Sequence, residues 1–336
     1  MPGRGVCLAA LAAFIVLAPL VLARELPLLD APNHLGAIAI WLHHDDPTWG
    51  FRDAYALDLR PVPYWGYFGL VRALAVLLPL RVANEIVIGA ILCALPAALA
   101  FALARHGRSP LLASIAVPLA WSYDLALGFV SYVEGIALLL VAIGALATPP
   151  RGRALAGHAL LGVAIYFCHP LAFLLWLLAL VVWAPRRAPL IAVPGLALFV
   201  YAFATSPGRQ GTGLAASAFA ARWLSPLATL KIFPVRVFDF VDDGWQYALL
   251  ALTVGTLAAL ALLAIRSGAT TGDDRRPALF AFALLVLAFA LPEHLLRPIN
   301  WWQLSGRLPL VLVLVLPLCL PRARLGRTAH ARPRLL

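Results

Sequence analysis

Ala154-Leu-Ala-Gly-His-Ala-Leu-Leu-Gly-Val-Ala-Ile-Tyr166-Phe-Cys-His169-Pro170-Leu-Ala-Phe-Leu-Leu-Trp-Leu-Leu-Ala-Leu-Val-Val-Trp-Ala184 is a run of 31 residues without an acid, a lysine or an arginine. As one α-helix it would measure roughly 46 Å, at 1.5 Å per residue, against a bilayer hydrocarbon core of about 30 Å. His169-Pro170 sits at its middle, and proline disfavours helix at the residue before it. The run therefore reads as two successive crossings that turn at His169. Arg151 and Arg153 precede the pair, and Arg186 and Arg187 follow it, so both ends return to the same side. Basic residues are retained on the cytoplasmic side of membrane proteins, which makes that side the cytoplasm.

Extending the same rule outward gives ten crossings: 6–23, 86–104, 109–123, 128–148, 154–168, 171–184, 189–205, 247–265, 278–291 and 308–320. Arg105/Arg108, Arg275/Arg276 and Arg322/Arg324/Arg327 then join Arg4 on the cytoplasmic side. The apolar stretch Tyr64 to Leu80 contains Arg72 and is kept outside as a re-entrant or interfacial helix, because making it cross would send every later cluster outward. The first run could instead be a signal peptide, with Val21-Leu22-Ala23 as its cleavage site. The expected fold is all-α: one polytopic membrane helix bundle over 1–336, with outer loops at 24–85 and 206–246 and a cytoplasmic basic tail at 321–336. Both termini are expected in the cytoplasm.

Composition agrees. Of the 336 residues 63% are hydrophobic and 12% charged, whereas soluble domains carry about half and a quarter. The formal charge of +11 comes from single or small basic groups between apolar runs, a topology signal with no basic stripe for nucleic acid. The four cysteines lie in apolar runs without metal or disulfide spacing.

On this topology 13 of the 15 acids face outward. Asp30-Ala-Pro-Asn33-His34-Leu follows the first crossing at once. Pro32 suits the first turn of a helix beginning at Ala31, which makes Asp30 its N-cap and puts His34 one turn on. Asp30 is then a helix cap, a carboxylate presented at the membrane surface, or both. Glu134 lies near an outer helix end and His169 at the outer turn, where an ionisable group is a candidate for cavity chemistry. The alternative for His169 is a neutral ring bonded to a backbone carbonyl of the break. Arg307 is either a snorkelling anchor or a donor to an anion. Trp301-Trp302 suits an interfacial aromatic belt or a sugar-stacking platform. Asp239, Asp242 and Asp243 read as an acidic outer patch. His43-His44-Asp45-Asp46 places four ligand-type side chains in series, which cannot converge on one ion from a regular helix. No protein metal site is expected; a divalent cation, if used, would bridge Asp45 or Asp46 to a substrate phosphate.

A carboxylate just past the first span, an amphipathic outer helix and a second span ending in basic residues resemble the GT-C-type polyprenyl-phosphate-sugar glycosyltransferases. Asp30-Ala-Pro-Asn33-His34-Leu, Gly128-Phe-Val-Ser-Tyr132-Val-Glu134-Gly135 and Tyr166-Phe-Cys-His169-Pro170 resemble motifs of bacterial multi-pass proteins close to that superfamily, and Ser305-Gly-Arg307-Leu-Pro309 resembles its entry to a late span. The resemblance implies a bacterial inner-membrane enzyme taking a sugar from a polyprenyl-phosphate carrier at the outer face. It implies Asp30 as general base with His34 beside it, and Arg307, His169, Glu134, Asn33 and Trp302 about the substrate. Two departures stand out: Asp30 is followed by Ala rather than a second acid, and no soluble C-terminal domain follows. A transporter or flippase, or a non-catalytic assembly subunit, are the alternatives; the former usually carries charge at mid-membrane.

Overall fold

The computed structural model describes residues 2–23, 26, 28–205, 220–238, 244–266, 275–297 and 300–321. The acidic patch Asp239, Asp242 and Asp243 of the 206–246 loop, Asp273 and Asp274, and the tail from 322 onward all lie outside these residues. The helices are α1 Pro2–Leu22, α2 Ala31–His43, α3 Phe51–Ala54, α4 Trp65–Ala75, α5 Leu80–Arg105, α6 Ala116–Leu119, α7 Tyr123–Ala126 and α8 Val130–Ala145. They continue as α9 Arg153–Cys168, α10 Pro170–Trp183, α11 Ala188–Thr205, α12 Pro226–Phe238, α13 Trp245–Arg266, α14 Arg276–Ala290 and α15 Leu308–Val315. The fold is all-α, as the sequence implies.

Three helices, Leu80–Arg105, Ala188–Thr205 and Trp245–Leu263, are long and apolar enough to cross a membrane. The remaining apolar runs form helices of 10–17 residues, so three candidate spans stand against the ten crossings, several of them short, that the sequence leads one to expect. The shortfall has local causes. The 109–123 run is divided into a 3-10 turn Pro110–Ile115, α6 and α7, with Pro118 inside it. The last run tightens to 3-10 geometry at Leu316–Cys319, around Pro317. The 64–80 stretch forms only α4, 11 residues or about 16 Å, well short of a bilayer.

The break at His169 is where the sequence puts it. His169 is extended (φ −159°, ψ 133°), α9 stops at Cys168 and α10 starts with Pro170. α8 lies at the centre, packed on α5, α9 and α10, while α4 covers α5, α8 and α9 and α14 bridges α10 to α15. Small residues set the spacing: a methyl group added at Gly144 of α8 would lie 2.7 Å from the Phe101 ring of α5. Large apolar side chains remain exposed over the outward faces of α1, α11, α13 and α14, including Phe14, Leu190, Leu262 and Phe282. That distribution suits a lipid-facing surface better than a wet one.

The chain ends of the helices sort into two levels. At one, Arg105 reaches Thr148, His106 Nε2 meets the Ile143 carbonyl at 3.1 Å and Arg108 Nε donates to the Leu320 carbonyl at 3.2 Å. At the other lie Asp30, Asp124, Gly128, His169 and Arg307. A small sheet, absent from the sequence reading, closes that second level. Strands β1 Ala220–Arg222, β2 His294–Arg297 and β3 Trp301–Trp302 pair antiparallel in that order, with Ala221 opposite Leu295 and His294 opposite Trp302.

Candidate functional site

Asp30 occupies the N-cap position of α2 with Pro32 in the first turn, as expected, but its side chain makes no capping hydrogen bond. The capping role is therefore corrected: Asp30 has near-helical backbone angles (φ −92°, ψ 0°), which do not aim its carboxylate at the first free N–H groups. Backbone bonds seat it instead. Leu29 and Asp30 donate their amides to the Ala126 and Leu127 carbonyls at 2.9 and 3.2 Å. Gly128, at φ +91°, passes so close that a side chain there would meet the Asp30 backbone nitrogen at 2.8 Å. Only glycine combines that conformation with that approach.

The next residue, Phe129, lies under Arg307, whose guanidinium carbon is 3.9 Å from the ring centroid. Tyr132, one helical turn further, donates its hydroxyl to the Arg307 carbonyl at 2.8 Å. Arg307 Nη1 stands 2.6 Å from His169 Nε2, and His169 Nδ1 accepts the Leu171 amide at 3.1 Å. The expected bond from His169 to a carbonyl is thus replaced by acceptance of an amide, because the extended His169 caps α10. Burial, followed by the neighbouring Arg307 charge, holds the imidazole far below its usual range and hence neutral. A neutral imidazole bares one nitrogen, so it accepts from only one of these two donors at a time. Arg307 is buried, its Nε has no partner, and no carboxylate lies within ion-pair distance of it among the described residues.

Asp124 completes this cluster, and the sequence reading passed over it as a turn. It is fully buried at the start of α7, and neither carboxylate oxygen has a hydrogen-bond partner. Burial pushes its carboxyl up to about 8, against the opposing pull of Arg307 and Arg236. A signal was present: Asp124 is the one charged residue between Arg108 and Glu134. Beside it Arg236 of α12 binds the Tyr123 hydroxyl and the Glu293 carboxylate in a buried network. Glu293 also accepts from Ser305 Oγ at 2.9 Å, and Gln303, left-handed at φ 53°, donates to the Tyr123 hydroxyl at 2.7 Å. These bonds fix the turn that delivers Arg307.

No protein-family model, curated protein or solved structure matches this chain.

Other sequence candidates fall elsewhere. Trp302 touches the cluster through Phe129, edge to face at 6.2 Å, and stays half exposed. Glu134, two residues beyond Tyr132 and so about 200° round the helix, points away from Arg307 to Gly66 of α4 and to Cys168. His34 likewise turns to α4, packing edge-on against Tyr67 at 5.7 Å and Phe68 at 5.2 Å. Burial lowers its proton affinity, with Asp30 opposing. Tyr67 donates to Asn84 at 2.6 Å, a buried partner that sequence reading missed. Asn33 is exposed. Asp45 and Asp46 are removed from the cluster by the length of α2, 13 residues or about 20 Å. Asp45 faces His44 at 3.0 Å and Asp46 closes a turn onto Thr48. Among the described residues no three metal-binding side chains gather.

Proposed function

We propose that this chain is a GT-C-like membrane glycosyltransferase that moves a sugar from a polyprenyl-phosphate carrier to an acceptor hydroxyl at the outer membrane face. The supporting observation is that Phe129, Tyr132 and His169, from two separate motifs, surround the buried Arg307 guanidinium, which has no carboxylate within ion-pair distance among the described residues, while the Asp30 backbone packs against Gly128 beside Phe129. A buried charge left unpaired is costly, and an incoming phosphate is the natural partner for a planar fork of donors. Ten crossings are proposed, seven of them by short helices together with their flanking turns. Both termini then face the cytoplasm of a bacterial cell, and the cluster lies outside.

In the proposed reaction Asp30 takes the proton of the acceptor hydroxyl as its oxygen attacks the anomeric carbon. The new carbon–oxygen bond forms as the bond to the carrier phosphate breaks, with inversion. The electron pair leaves on the phosphate, whose growing charge Arg307 stabilises. In the tautomer protonated at Nδ1, which gives up the Leu171 amide, neutral His169 accepts a hydrogen bond from Arg307 at Nε2 and keeps the fork oriented without adding a second positive charge. The assay is complementation of a deletion strain, with mass spectrometry of envelope glycans and lipid-linked sugars. Asp30→Asn should accumulate in the membrane yet leave the glycan missing and the carrier-linked sugar elevated. Full complementation by Asp30→Asn would remove the general-base assignment.

A further inference from the structure

A cavity of about 300 Å³ opens beside the His169-Pro170 turn. Its walls are the 58–64 segment, Pro170 at the head of α10, the end of α11 and Asn300-Trp301 before α15. Two of its rings bracket His169: Tyr64 edge-on at 5.3 Å and Trp301 at 6.4 Å. Tyr64 holds a left-handed backbone at φ +78°, a conformation that costs a non-glycine residue about 1–3 kcal/mol and is retained where the surroundings demand it. Its ring remains partly open to the cavity. The volume is at the low end of the ligand-pocket range of about 300–1,000 Å³, room for one small ring and not for a lipid tail.

The polar lining is specific. Among the described residues that line it, Asp58 and Arg60 are the only charged ones, and they neutralise each other. Arg60 Nε donates to Asp58 Oδ1 at 2.7 Å, its Nη2 binds Oδ2, and its Nη1 donates to the Thr205 carbonyl at 2.6 Å. Hydrogen bonds from Arg60 draw the Asp58 carboxyl down to about 2, so the pair stays ionised and its charges cancel at neutral pH. Asn300 Oδ1 faces His294 Nε2 at 2.6 Å, which leaves the amide nitrogen to donate. Flat aromatic faces for C–H groups, amide and carboxylate edges for hydroxyls, and no net charge form a recognisable combination.

We infer that this cavity binds an uncharged sugar ring, and so that the transferred unit is a neutral hexose rather than a uronic acid or an amino sugar. The inference rests on the glycosyltransferase reading for its meaning: a sugar in this cavity lies one imidazole away from the guanidinium that takes the phosphate.

The test uses the full chain in lipid nanodiscs and saturation-transfer NMR with methyl hexopyranosides, glucuronate and glucosamine. The neutral glycosides should receive saturation at the expense of both charged sugars, by about fivefold, the weight of one exposed charge interaction. Asn300→Ala should weaken them, and Asp58→Asn, which leaves Arg60 uncompensated, should shift preference towards glucuronate by a similar factor. Equal transfer to charged and neutral sugars, or none to the neutral ones, overturns the inference. Undecaprenyl phosphate binding in the same nanodiscs separates the two readings. Arg307-dependent lipid binding without sugar binding removes the sugar cavity and leaves the phosphate site. Sugar binding combined with full complementation by Asp30→Asn leaves the cavity and removes the reaction.

Discussion

Replacing Asp124 with asparagine should make the protein more stable at alkaline pH. Asp124 is fully buried without a partner for either oxygen, and its carboxyl titrates at about 8 in the fold against 3.8 for a free side chain. Below about pH 4 the acid is protonated in both folded and unfolded chains and costs nothing. Between 3.8 and 8 the unfolded chain releases a proton that the folded chain keeps, so stability falls steadily as pH rises and levels off above 8. Each unit of pKa difference corresponds to 1.36 kcal/mol, which sets a ceiling of about 6 kcal/mol; local relaxation and water entry reduce it to about 2–3 kcal/mol. Asparagine has nearly the same shape and does not titrate. At pH 5 the variant should match the wild type within about 1 kcal/mol. At pH 8.5 it should melt about 5 °C higher, taking about 2 °C per kcal/mol for a chain of this size. Thermal unfolding of detergent-purified protein followed by tryptophan fluorescence, at half-unit pH steps, gives the difference curve in which other titrations cancel. Parallel curves for the two proteins from pH 5 to 8.5 would refute the buried, proton-bearing Asp124.

Three further outcomes are expected. Arg307→Lys should weaken binding of undecaprenyl phosphate by about tenfold, because an ammonium lacks the planar fork; unchanged affinity in a nanodisc titration would leave Arg307 an anchor. Gly128→Ala should lose about 2–4 kcal/mol by thermal melting and most complementing activity, because the added methyl group would press on the Asp30 backbone at 2.8 Å from a φ of +91°. An alanine as stable and active as glycine would show that the turn has slack. In a cysteine-free background, Thr48→Cys should react with an impermeant thiol reagent on intact cells and Arg186→Cys only after lysis. The opposite pattern would invert the proposed topology.

The elements that the sequence specified were those governed by local rules. Pro32 placed the start of α2 at Ala31, and the mismatch between a 31-residue run and a bilayer placed the turn at His169. The elements it hid depend on distant partners. β1 pairs with a strand more than seventy positions away and is three residues long, too short for any alternation to register. Arg236 sits in an apolar stretch that resembles a snorkelling helix until Glu293, 57 residues on, appears beside it. For the site, the motif residues Asp30, His169 and Arg307 were legible as types at chain ends. Their convergence, and the removal of Glu134 and His34 to the α4 face, follow from helix rotation, which single residues do not announce.

The cluster joins residues far apart in sequence, from the Asp30 backbone to Arg307. During synthesis Asp30 emerges well before Arg307, which arrives only at the start of α15. A molecule cut short between α14 and Arg307 keeps the helices before it and still lacks the anchored guanidinium. Assembly of the site is thus a late event in synthesis, and the loss of a few dozen C-terminal residues would yield an embedded but chemically incomplete protein.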